Sequence, residues 1–156
     1  MNASHYSNDC QMKGKRQYEF LEHTADAYVA AYGKNLTEAF ENAAVAMFDV
    51  TTEVEKVNPL TEERVEAKGD DEQELLYNWL EALLVKSEVN RMLYSKFDIS
   101  EFDQDSSGFR LRAKIWGEKF DASRHLQKVG IKAVTYHRME ITKTPEKVTL
   151  KFILDI

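Results

Sequence analysis

A chain of 156 residues suits one compact domain with a real hydrophobic core. Its formal net charge of -6, from 27 acidic against 21 basic residues, argues against sequence-independent binding to phosphate backbones, which needs clustered Lys and Arg. The single cysteine, Cys10, excludes an internal disulfide and a cysteine-based zinc site.

Apolar residues make up 43% of the chain and charged residues 31%, ordinary for a soluble globular protein. No apolar run approaches the ~18 residues of a membrane span. Residues 1–16 are polar, lack the apolar stretch of a secretory signal, and read as a disordered tail ahead of a domain at 17–156. With no secretion signal read at 1–16, the triplets at Asn2 and Asn35 are expected to be chance matches to a glycosylation pattern. A reducing, cytoplasmic and/or nuclear location is expected.

In chain order, Tyr18, Phe20 and Leu21 open a strand, and residues 27–32 form a second one ending at Gly33. Asn35 followed by Glu38 reads as an N-cap with a reciprocal glutamate. Leu36, Phe40, Ala43, Ala44 and Met47 then share one helical face, and the β-branched cluster Val50, Thr51, Thr52 ends the helix. A strand at 64–68 leads to Gly69-Asp70-Asp71, where either aspartate can cap a second helix. Leu75, Leu76, Trp79, Leu80, Leu83 and Leu84 make a broad stripe that must be buried.

The second half reads as strands. Met92, Tyr94, Phe97 and Ile99 alternate with a one-residue slip, the mark of a bulge. Residues 105–108 make a hairpin turn, after which Phe109, Leu111, Ala113 and Ile115 alternate with basic residues. Residues 121–130 read as a loop, and 131–136 as a long central strand. Pro145-Glu146 turns the chain into a last strand carrying Val148, Leu150, Phe152 and Leu154. No internal repeat is apparent. The sum is an α+β architecture: two main helices packed on a mostly antiparallel or mixed sheet.

Several machines are missing. The chain has no Gly-rich Lys-Ser/Thr loop for nucleotide phosphates, no Gly-x-Gly-x-x-Gly turn and no Gly-x-Ser-x-Gly elbow. Polar residues interrupt the apolar pattern at His23-Thr24-Ala25-Asp26. Hard cations take carboxylate oxygen and seldom imidazole, so Asp26 is the stronger ligand candidate and His23 the weaker. The ordinary alternative is an aspartate capping a turn.

At the other end, strand alternation runs up to Asp155-Ile156, which would pin the Asp155 carboxylate and a terminal carboxylate near the sheet. Two such anions repel unless a cation or basic group sits between them. A frayed, solvated end is the common fate of termini. Lys132 and His137 fall on opposite faces of an alternating strand and read either as exposed edge residues or as contacts to a partner or an anionic ligand. Arg124-His125 reads as a solvated basic tip or a docking contact.

Leu21-Glu22-His23-Thr24-Ala25-Asp26, Gly69-Asp70-Asp71 with the Leu-rich helix after it, Gly117-Glu118, Arg124-His125, residues 132–137 and Leu154-Asp155-Ile156 occur in an order that resembles the archease family. The likeness covers about residues 18–156. It implies an α+β fold and a divalent metal ion, Ca²⁺ first with Mg²⁺ or Mn²⁺ as alternatives. The implied ligands are Asp26, Asp155 and an oxygen of Ile156.

It also implies a non-catalytic helper of an RtcB-type tRNA-splicing ligase complex, promoting guanylylation and multiple turnover. RNA would then be reached only through the ligase, with no direct DNA or membrane contact. Two other readings compete. One is a metal-dependent hydrolase with His23 or His137 as general base. The other is a general RNA or protein chaperone.

Overall fold

The computed structural model describes residues 17–21 and 26–156. The disordered-tail expectation for 1–16 and the His23 expectation lie outside the described residues. Two short strands, β1 (Tyr18–Leu21) and β2 (Asp26–Gly33), lead into helix α1 (Leu36–Thr51) and a 3-10 turn (Val54–Lys56). Strand β3 (Thr61–Gly69) precedes helix α2 (Glu72–Asn90). Strands β4 (Met92–Asp105), β5 (Gly108–Lys119), β6 (Ala133–Val134), β7 (Glu140–Lys143) and β8 (Val148–Asp155) follow.

The strands form two sheets, and every pairing among the described residues is antiparallel. In the first the order is β1-β2-β8, and the far edge of β8 is shared by β6 near its end and β7 near its start. The second has the order β3-β5-β4. The architecture is α+β as the sequence predicts, with two sheets in place of one.

Period-two alternation fixes the faces. Val29, Ala31, Leu150, Phe152 and Leu154 point to the core and are fully buried. On the second sheet Val65, Ala67, Leu111, Ala113 and Ile115 do the same, while Arg64, Glu66 and Arg112 face solvent.

The helices start where capping chemistry requires. The Asn35 side chain accepts the Glu38 N–H at 2.9 Å, and Asp71 accepts the Glu74 N–H at 2.8 Å. Trp79 is completely buried on α2, and its indole N–H donates to the Phe40 carbonyl on α1 at 2.9 Å, tying one helix to the other. Removing so large a buried ring costs roughly 3–5 kcal/mol.

The bulge expected in β4 lies between Tyr94 and Lys96, and a second lies between Ile99 and Glu101. Gly117 sits opposite the first, where a Cβ would stand 1.8 Å from the Leu93 carbonyl oxygen. Only glycine fits that close approach.

The long central strand expected at 131–136 is corrected to the two residues of β6, at the edge of its sheet. Past Val134 the chain leaves the ladder. The Thr135 N–H and hydroxyl both donate to the Ile153 carbonyl, at 3.3 and 2.9 Å, and the Met139 N–H closes a turn onto Tyr136 at 3.1 Å. Arg138 sits in that turn at φ 57°, a left-handed conformation that no glycine or asparagine announces in the sequence. The chain then returns as β7 along the same edge of β8.

Candidate metal centre

Strands β2 and β8 run side by side along their full lengths, from Gly33 opposite Val148 to Asp26 opposite Asp155. The first residue of one is thereby the direct neighbour of the last residue of the other. Directly opposed residues share a face, with Cβ atoms about 4.5–5.5 Å apart, so two carboxylates more than a hundred positions apart in the chain stand together. The face is the one opposite Val29, Phe152 and Leu154. Both aspartates are half-buried.

The third position in this row is Ala133, paired with Asp155 from the other side. A methyl group there leaves the corner uncrowded. The Lys132 N–H donates to the Asp155 carbonyl at 2.7 Å, which fixes the main chain carrying the carboxylate. Ile156 is half-buried and packs against the core, holding the chain beyond β8 in place. All three residues implied by the resemblance, Asp26, Asp155 and Ile156, meet at one end of one sheet.

The donor set fits a hard cation. Two aspartates and a main-chain oxygen are all-oxygen ligands, the chemistry Ca²⁺ and Mg²⁺ prefer. Among the described residues no group of three or more His, Cys, Asp or Glu side chains could hold a metal. Any ion at this corner therefore has few protein ligands, against the 6–8 oxygens Ca²⁺ takes. The remaining positions belong to water or to another molecule.

Other sequence candidates fall elsewhere. Lys132 and His137 are exposed, and the alternation that put them on opposite faces ends at Val134. Tyr136 next to His137 is 52% exposed and stacks flat on Tyr77 of α2, with ring centroids 4.3 Å apart. Of Arg124-His125, the arginine is exposed as a solvated tip would be, but the histidine is not. His125 is only 5% exposed and bonds Glu118 of β5, a residue that sequence reasoning quoted in a motif without giving it a role.

The sequence profile of the Archease protein family matches residues 18–156. The chain is 45% identical over 141 residues to the protein archease of Sulfurisphaera tokodaii, a match covering 90% of this chain and 99% of the relative. It is 40% identical over 140 residues to the protein archease of Sulfolobus acidocaldarius, with the same coverage of 90% and 99%.

Among solved structures, the solution structure of Methanobacterium thermoautotrophicum protein 1598 superimposes with a TM-score of 0.79 at 39% identity, covering 90% of this chain and 99% of that one. The crystal structure of an archease from Thermotoga maritima, described as a possible chaperone, has a TM-score of 0.59 at 14% identity, covering 87% and 94%. At that identity the second likeness speaks for the fold alone. Matched across nearly all of its described residues, the chain belongs to the archease family.

Proposed function

We propose that this archease is a non-catalytic, metal-binding accessory factor that activates an RtcB-type RNA ligase in tRNA splicing, promoting guanylylation of the ligase and its repeated turnover. One observation carries the metal part of the reading: Asp26 stands directly opposite Asp155 at the end of the β2–β8 ladder. Two like charges so placed repel, and a divalent cation between them turns that cost into binding. Ca²⁺ suits the all-oxygen set best, with Mg²⁺ or Mn²⁺ as alternatives.

When bound, such an ion supplies concentrated positive charge able to orient and neutralise phosphate oxygens. The chain's own residues hold this corner open. Ala133 keeps it uncrowded, the Lys132 amide fixes the Asp155 backbone, and Ile156 anchors the segment in the core. Few protein ligands leave positions for groups from the ligase, which suits a factor that works at a partner's reacting centre. Such a factor acts where the ligase acts, in the cytoplasm or nucleus, and reaches RNA only through it.

The test is a guanylylation assay with ligase, GTP and Mn²⁺, adding wild-type protein, Asp26→Ala or Asp155→Ala. Wild type should stimulate, and both folded variants should lose the stimulation. Full stimulation by both variants would remove the metal corner from the function. Turnover of phosphoesters by the purified protein alone, at enzyme-like rates, would favour a hydrolase instead.

A further inference from the structure

Residues 120–132 cross from the end of β5 to the start of β6 without helix or strand. Backbone groups with no ladder must find other partners, and here a tight turn at Asp121 and the ring of His125 supply them. The Asp121 carbonyl accepts the N–H groups of Arg124 and His125 at 3.0 and 2.8 Å, closing a turn. The Asp121 N–H donates to His125 Nδ1 at 2.9 Å, which makes Nδ1 an acceptor and puts the proton of the neutral ring on Nε2.

Nε2 lies 3.0 Å from Glu118 Oε2 and donates to it. The same oxygen accepts the Asn58 N–H at 2.7 Å, and Oε1 pairs with the Arg124 guanidinium. This company, the Arg124 bond foremost, holds the Glu118 carboxyl down at about 2. Glu118 thus joins β5, the segment before β3 and the crossing loop, while Phe120 stacks on the imidazole with ring centroids 6.0 Å apart.

The far end of the crossing has tethers of its own, among them the Lys128 ammonium, which donates to the Asp49 carbonyl at 2.9 Å. The Lys128 N–H donates to the Thr51 carbonyl at 3.0 Å, Ile131 is buried, and the Lys132 N–H reaches Asp155 at 2.7 Å. The strand that follows has only two residues, and its place on β8 is held by the flanking bonds of Lys132 to Asp155 and Thr135 to Ile153. A connection pinned along its length loses less entropy on docking its end.

We propose that the buried Glu118–His125 pair is a positioning clamp, fixing the crossing loop and through it the placement of residues 132–134 against Asp155. On the reading that Asp155 is a cation ligand, on which this second half rests, the clamp also pre-organises the metal corner.

Three full-length proteins test it: wild type, His125→Phe and His125→Gln. Phenylalanine keeps the ring and its stacking but loses both hydrogen bonds. Glutamine carries an oxygen and a nitrogen separated by one carbon, as the ring nitrogens are, and can keep both.

Hydrogen exchange at the Lys132 amide should be at least about tenfold faster in His125→Phe, the effect of losing bonds to a charged group. Exchange in the middle of α1 should not change, and His125→Gln should restore the Lys132 amide. Terbium(III) titration should show weaker ion binding in His125→Phe and recovery in His125→Gln.

Unchanged Lys132 exchange in His125→Phe, or the same loss in His125→Gln, overturns the clamp. Faster exchange with unaltered ion affinity overturns its reach to the metal corner. Wild-type protein that binds no terbium defeats the metal reading, while the exchange result still decides the clamp. Should His125→Phe not fold, Glu118→Gln, which turns an acceptor facing Arg124 into a donor, is read by the same two measurements.

Discussion

The β2–α1 and β3–α2 junctions follow one plan in two sheets. Each strand ends in a glycine, Gly33 or Gly69, whose missing Cβ would stand 2.3 Å from the Ala39 nitrogen or 2.4 Å from the Leu75 nitrogen. Two residues later comes the cap, Asn35 or Asp71. Seven residues beyond each cap an asparagine reaches back to the carbonyl before the glycine: Asn42 to Tyr32 at 2.6 Å and Asn78 to Lys68 at 2.7 Å.

The helices then part. Helix α1 buries Ala39, Ala43, Ala44 and Ala46 completely, small residues that allow close approach. Helix α2 buries a one-sided stripe of Leu and Trp and leaves Val85 and Val89 exposed. The junction sets where a helix starts and how it leaves its strand, and side-chain size sets how deeply it sinks.

The comparison breaks most readily at the glycines. Gly33→Ala and Gly69→Ala each press a methyl group onto helix backbone that no rotamer change can relieve. Each should cost several kcal/mol, at or above the roughly 1–3 kcal/mol of ordinary overpacking, with similar losses in urea unfolding. A large gap between them would mean that the shared geometry hides different local freedom. The caps sharpen the comparison at smaller scale. Asn35→Ala and Asp71→Ala should each lower stability by about 1 kcal/mol, read from the same unfolding curves. A null effect at one cap would show that its helix start is held by packing alone.

Both helices, the hairpin at 105–108, the first bulge and the loop at 121–130 were legible in the sequence, because periodicity and turn chemistry are local. What stayed hidden was non-local. Alternation shows which face a residue takes and not which strand it pairs with, so one sheet was expected where two exist. The shared junction escaped because it rests on a glycine, a cap and an asparagine, with no wider similarity to mark it. Residues 131–136 alternate well enough to suggest a long strand, and only the left-handed Arg138 and the two hydrogen bonds from Thr135 to the Ile153 carbonyl reveal the turn.

The candidate site was half legible. Asp26 and Asp155 stood out as acids at the ends of apolar strands, but their pairing came from the family resemblance and not from spacing. The structure gives that pairing a register. His125 looked solvated because nothing local shows that Glu118, on a neighbouring strand end, draws it inside.

A direct calorimetric titration of Ca²⁺ into the full-length protein, beside Asp26→Asn and Asp155→Asn, bears hardest on the metal corner. The account predicts a single bound ion for wild type and at least about tenfold weaker binding in each variant, since each loses a charged oxygen ligand. Equal Ca²⁺ binding by all three proteins would contradict it.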